Sequence, residues 1–175
     1  MYKIIEHVME VRVEPRAAAV GLLRMGTATF PILALSSIAV GSSSTLQLRA
    51  QQVLASHAGM ILAFIGGMLQ SLAVSEARGG RAEARLAGLV LVACGIALAI
   101  AGQAMVVVAW AAPERVAAVL MVQGGLFAID AMGEARLAAW LSPRGLDTVL
   151  LRPERRPCIL CAVASLALAA LGAMV

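Results

Sequence analysis

The chain has 175 residues, 61% of them hydrophobic, 14% charged and 3% aromatic, with a net charge of +4 and a mean hydropathy of +0.91. Soluble domains carry about 45–50% apolar and about 25% charged residues, so this composition excludes a protein with a fully water-facing surface. The basic residues, 13 Arg and one Lys, stand singly or in short groups between apolar runs without aromatic stacking partners, which excludes a nucleic-acid binder.

Residues 1–16 are expected to form a cytoplasmic or interfacial leader. Glu6, Glu10 and Glu14 alternate there with Lys3, Arg12 and Arg16, which does not suit a cleavable signal. Ile4, Ile5, Val8, Met9 and Arg12 fall at helical spacing, as in a short helix lying on a membrane surface; a frayed polar terminus is the alternative. Crossing about 30 Å of hydrocarbon takes roughly 20 helical residues. Five segments of residues 17–175 qualify: 17–40, 53–74, 86–111, 116–135 and 158–174. The third carries Gln103 as its only strongly polar residue. The run Gly41-Ser42-Ser43-Ser44-Thr45 reads as a polar turn, and Ser142-Pro143-Arg144-Gly145 as a turn in the longest connection, which also holds Trp140. The expected fold is therefore all-α, a polytopic bundle of about five transmembrane helices.

Orientation follows from the basic residues. The leader and the second and fourth connections hold eleven of them, among them Arg78, Arg81, Arg85, Arg136 and Arg144, whereas the other two connections hold only Arg49 and Arg115. Basic loops stay in the cytoplasm, so the N-terminus is expected inside and the C-terminus outside, in a bacterial inner membrane.

Small residues mark the expected packing faces. Ala55, Gly59, Ala63, Gly67, Ser71 and Ser75 recur every four residues along the second span, a ridge on which another helix of this chain or a second copy can approach closely. On this reading Gly67 is central and Leu62 faces lipid. Gly88, Gly95 and Gly102, seven apart, line up on one side of the third span.

Ionisable residues inside spans are the leading candidates for a site, because each costs at least about 2.5–3.5 kcal/mol at a span centre. Arg24 and Asp130 both fall in the inner leaflet, with Glu134 one turn below Asp130 and Gln70 at a comparable level. The set reads either as a polar cluster serving a proton, ion or headgroup, or as a buried Arg24–Asp130 clamp with Gln70 meeting the remaining hydrogen bonds. His57 is expected near the outer end of the second span, without an axial partner for haem, since His7 falls on the other side. Cys158 and Cys161 form a CxxC at helix spacing with no further ligands for zinc and no thioredoxin-like context. No nucleotide-binding, metalloprotease or serine-hydrolase motif is present, so no catalytic residue, metal or cofactor is expected.

The run Ile61-Leu62-Ala63-Phe64-Ile65-Gly66-Gly67-Met68-Leu69-Gln70-Ser71-Leu72-Ala73 resembles the Ile-Leu-Ser-Phe-Leu-Gly-Gly signature of the small five-span membrane proteins grouped as domain of unknown function 3429, which include a mitochondrial transmembrane branch. Gly26 with Phe30-Pro31, and Asp130, are similar to further positions of that family. Family members often follow Gly-Gly with a His-Trp pair where this chain has Leu69-Gln70, so a role resting on that pair does not transfer. The resemblance implies a five-helix inner-membrane protein and no established activity.

Three functions remain open at this level. The first is a non-catalytic accessory or assembly subunit, with the lipid bilayer and other membrane subunits or a second copy as partners. The second is a small transporter or ion pathway through Arg24, Gln70, Asp130 and Glu134, and the third is a thiol redox protein using Cys158 and Cys161.

Overall fold

The computed structural model describes residue 21 and residues 24–39, 44–77, 82–141 and 156–174. Among these the chain is all-helical. The elements are α1 (Phe30–Ala39), α2 (Ser44–Ala77), α3 (Ala82–Ala111), a 3-10 turn (Pro113–Arg115), α4 (Val116–Leu141) and α5 (Arg156–Gly172). Proline sets two of the boundaries. Pro113 lacks the N–H that would continue α3, and Ala112 before it leaves the helical region at φ −131° and ψ 76°. Pro31 sits in the first turn of α1, where its missing N–H removes no bond.

Three of these helices are long and apolar enough to cross a membrane: Thr45–Ser71, Gly88–Ala111 and Pro113–Gly133. Their 27, 24 and 21 residues reach about 40, 36 and 31 Å at about 1.5 Å each, so every one covers the hydrocarbon layer. The apolar stretch of α5, Pro157–Gly172, is shorter. The leader 1–16, the basic residues Arg78 and Arg81 and the connection 142–155 lie outside the described residues.

Two expectations change. The segment 17–40 is not one continuous helix: residues 24–28 are helical, Thr29 is a turn, and α1 starts at Phe30. The cause is Pro31, whose ring crowds the carbonyl four residues earlier and cannot donate to it. The second span also begins earlier than residue 53, because α2 starts at Ser44 and absorbs Thr45 and the polar Gln47, Arg49, Gln51 and Gln52. Those residues read as loop by polarity, yet several of their side chains bond to neighbouring helices.

The core joins all five helices through Phe30, Leu62, Leu91, Phe127, Ile159 and Leu166, each with 0–1% of its surface exposed. The most extensive contact is between α2 and α3, followed by α4 with α5, while α1 rests on α5 and α2.

The α2/α3 contact is backbone against backbone. A Cβ built on Gly59 would stand 2.7 Å from the Gly102 carbonyl oxygen, and one on Gly102 would stand 2.7 Å from that of Gly59. Gly66 and Gly95 oppose each other in the same reciprocal way, with the Gly66 oxygen 2.5 Å from the Cβ position of Gly95. One level further, the Cβ position of Gly88 meets the Ala73 oxygen at 3.4 Å. Stepping forward by seven on α2 matches stepping back by seven on α3, so the helices are antiparallel and share a heptad seam of small residues. Facing Cα–H and carbonyl groups add weak attraction to the dispersion gained by close approach.

This seam upholds the seven-residue glycine row expected on the third span, and of the four-residue ridge expected on the second it takes up Gly59 and Ala63 while leaving Gly67 and Ser71 outside the contact with α3. Gly59 lies in the contact, and the Ala63 nitrogen is 3.5 Å from the Cβ position of Gly102. Gly67 is exposed with no atom within 4 Å of its Cβ position, Ser71 is exposed, and Leu62, expected to face lipid, is fully buried. The side chain of Ser75 lies outside the described residues. Geometry explains the difference. At about 100° per residue a four-residue row drifts about 40° per step and spirals off a facing helix, whereas a seven-residue row drifts only about 20°.

Gly95→Leu should therefore cost about 1–3 kcal/mol or more, since a carbonyl and the Gln70 side chain occupy the space its Cβ needs. Gly67→Leu should be mild. Thermal denaturation of both variants in detergent checks this; equal melting temperatures would contradict the heptad seam.

Candidate functional site

The break at Thr29 opens a carbonyl inside the bundle, and His57 closes on it. His57 lies one residue from the centre of the apolar stretch Thr45–Ser71. Its Nε2 is 2.8 Å from the Gly26 carbonyl oxygen and 2.6 Å from the Thr29 hydroxyl. The Thr29 hydroxyl donates to the same carbonyl at 2.7 Å. With its proton on Nε2 the imidazole donates to Gly26; with the proton on Nδ1 it accepts from Thr29. The Nε2–H tautomer, with the Thr29 hydroxyl beside it, satisfies a carbonyl that an unbroken helix would have bonded internally, the usual remedy for a proline break in lipid; in the Nδ1–H tautomer the single Thr29 proton goes to the ring and the carbonyl gains nothing. The imidazole ring is fixed edge-on by Phe30 at 5.1 Å between centroids, and Phe30 by Phe127 at 5.5 Å.

A second polar layer lies at the end of the bundle where α2 begins and α3 and α5 finish. Gln52 Nε2 donates to the Ala109 carbonyl at 2.9 Å, and Gln47 Nε2 to the Gly172 carbonyl at 2.8 Å. Gln51 Nε2 reaches Ala169 at 3.5 Å. Ala109 and Gly172 stand in the last turns of α3 and α5, where carbonyls have no partner within their own helix. The glutamines of α2 thus cap two neighbouring helices. Gln123 on α4 donates to the Ala55 carbonyl at 2.9 Å, which ties α4 to α2. Arg49 Nη1 donates to Gln52 Oε1 at 3.2 Å and lies over the Trp110 ring at 5.5 Å, while Trp110 Nε1 donates to Ser56 at 2.8 Å. Beside this layer an open cleft of about 430 Å³ is lined by Gln47, Gln51, Glu114, Val116 and Ala117 among others.

The residues expected to form an inner polar cluster come from three helical stretches, 24–28, α2 and α4. Gln70 packs over Gly95 in the α2/α3 seam, its Cγ 3.0 Å from the glycine's Cβ position. Asp130 is half-buried on α4 and Arg24 is exposed in the helical stretch 24–28; each has an interaction partner. The side chain of Glu134 lies outside the described residues. Cys94, Cys158 and Cys161 are free thiols, and among the described residues no three His, Cys, Asp or Glu side chains gather as metal ligands.

Sequence reasoning missed Gln47, Gln51, Gln52 and Gln123. Their signal was the i, i+4 spacing of Gln47 and Gln51 ahead of an apolar run, which counts only once the helix is known to start at Ser44. No protein-family model, curated protein or solved structure matches the chain.

His57→Ala should destabilise the protein by about 0.6–2 kcal/mol, the scale of an interhelical hydrogen bond in a membrane. In a Pro31→Ala background the cost should shrink, because the mended helix meets the Gly26 carbonyl with its own N–H. A double-mutant cycle by thermal denaturation checks the coupling; additive losses would contradict the role assigned to the break.

Proposed function

We propose that the chain is a non-catalytic accessory or assembly subunit of a membrane complex in a bacterial inner membrane. In this reading five helices cross the bilayer, with the N-terminus in the cytoplasm and the C-terminus outside. The observation that carries it is the asymmetry of α3. One side of this helix is locked by Gly88, Gly95 and Gly102 against α2, yet only 17% of its apolar stretch is buried, against 50% for α2. The chain thus builds a rigid hairpin and leaves a full-length transmembrane face outside its own core. Its polar side chains also act as fasteners: the glutamines and His57 close on backbone carbonyls. The basic bias of the connections supports the orientation.

A proton or ion pathway has one specific observation in its favour, a titratable residue near the middle of an apolar stretch and beside a broken helix. On that reading His57→Ala would abolish flux through liposomes holding the purified protein; on the subunit reading there is no flux to abolish.

Reporter fusions ending at Ser43, Arg81, Arg115, Arg144 and the C-terminus should lie outside, inside, outside, inside and outside. The full chain, extracted in mild detergent, should run as a complex larger than one protomer. A lone protomer that conducts ions in liposomes would overturn the subunit reading, and an active periplasmic reporter at Arg144 would overturn the orientation.

A further inference from the structure

The outward face of α3 has its own pattern. Leu86, Leu89, Ala93, Ile96, Ile100, Gln103 and Val107 follow one another at alternating steps of three and four, and every one is exposed. This is the a/d spacing of a helix-pairing seam, on the side away from the glycines that grip α2. Spacing alone would suit a lipid-facing surface equally well, and Gln103 is what separates the two. It lies about four residues from the centre of Gly88–Ala111, which places it about 5 Å from the middle of the bilayer and about 10 Å below the hydrocarbon edge. A glutamine side chain is too short to reach headgroups from there. Among the described residues it makes no hydrogen bond, whereas Gln47, Gln51, Gln52 and Gln123 all do. An amide with two donors and an acceptor, set among Ile96, Ile100 and Val107 in hydrocarbon, needs a polar partner at the same depth.

We propose that this partner is Gln103 of a second copy, and that α3 pairs with α3 across a twofold axis along the membrane normal. The inference rests on the subunit reading and names the neighbour. Both copies of a membrane protein share one orientation, so such an axis brings identical residues together at identical depth. The amide is its own complement: the N–H of one Gln103 donates to the carbonyl of the other, and the reverse bond forms as well. A neighbour of different sequence would have to supply a polar group at that level, and a second copy always does. The flanking apolar residues then interdigitate as knobs into holes along the span. Two α2/α3 hairpins placed back to back form a four-helix layer, glycine seams outside and the Gln103 seam in the middle.

The test uses the full chain with Cys94→Ala, Cys158→Ala and Cys161→Ala, carrying a single Ile96→Cys, Ile100→Cys or Val107→Cys, both in native membranes and in liposomes. Met60→Cys, exposed on α2, is the control. Mild oxidation should link two copies through each seam cysteine in both settings and leave Met60→Cys monomeric. Gln103→Leu removes both reciprocal bonds and should weaken the dimer by at least about 5- to 30-fold in a dilution series in liposomes, while Gln103→Asn should retain most of the affinity. Dimers indifferent to Gln103→Leu would overturn the role of the amide. Seam cysteines that link to a different protein in native membranes, and not to each other in liposomes, would overturn the second copy and leave the subunit reading standing. Seam cysteines that stay unlinked in both settings would overturn both.

Discussion

At two levels of the hairpin, no side chain separates the backbones of α2 and α3. Carbonyl oxygens of Gly59 and Gly66 stand within 2.7 Å of where the Cβ atoms of Gly102 and Gly95 would be, and the reverse holds on the other helix. In lipid the hydrophobic effect does not drive helices together, so the gain comes from dispersion and weak Cα–H contacts, both of which fall off steeply with distance. That makes the pairing intolerant of any added atom at these positions. It also fixes the depth and rotation of everything else on α2. Gln52 reaches the end of α3, and Ser56 receives the Trp110 N–H, only in this register.

The remaining helices are attached by polar groups acting on backbone. α5 is held at its last turns by Gln47 and Gln51, α4 by Gln123, and the broken stretch before α1 by His57. Each acceptor is a carbonyl, and those of Ala109 and Gly172 at the ends of α3 and α5, and of Gly26 beside the Thr29 break, lack the internal partner that an unbroken helix interior supplies. An unpaired carbonyl inside a bilayer costs several kcal/mol, so a few amides and one imidazole stabilise a bundle whose apolar contacts alone specify little. The same rule makes Gln103 conspicuous, since it is placed on a surface where the described residues offer it no hydrogen-bond partner.

Much of this could be read from the residues alone, because the membrane restricts the answers. Apolar runs such as 86–111 and 116–135 have only one way to satisfy their backbone in lipid, and the helices appear within a few residues of where hydropathy puts them. The seven-residue row Gly88, Gly95, Gly102 was also visible, since no side-chain detail is needed to see that it stays on one side. Its partner row on α2 was hidden by a more frequent four-residue pattern of small residues, in an alanine-rich chain where such patterns arise easily. Residues 44–52 failed for a different reason: polarity was read as exposure, whereas these glutamines are polar because they bond to other helices. The site at His57 depended on two facts that sequence does not carry, the early start of α2 and the rotation that faces Nε2 to the Gly26 carbonyl.

Solid-state NMR of the full chain in lipid bilayers, with carbon-13 only at glycine, reads the central contact without altering it. The account predicts through-space cross-peaks between Gly66 and Gly95 and between Gly59 and Gly102, with Gly67, assigned by its loss in Gly67→Ala, showing none to α3. Cross-peaks from Gly67 to the glycines of α3, or the absence of any peak linking α2 glycines to α3 glycines, would contradict it.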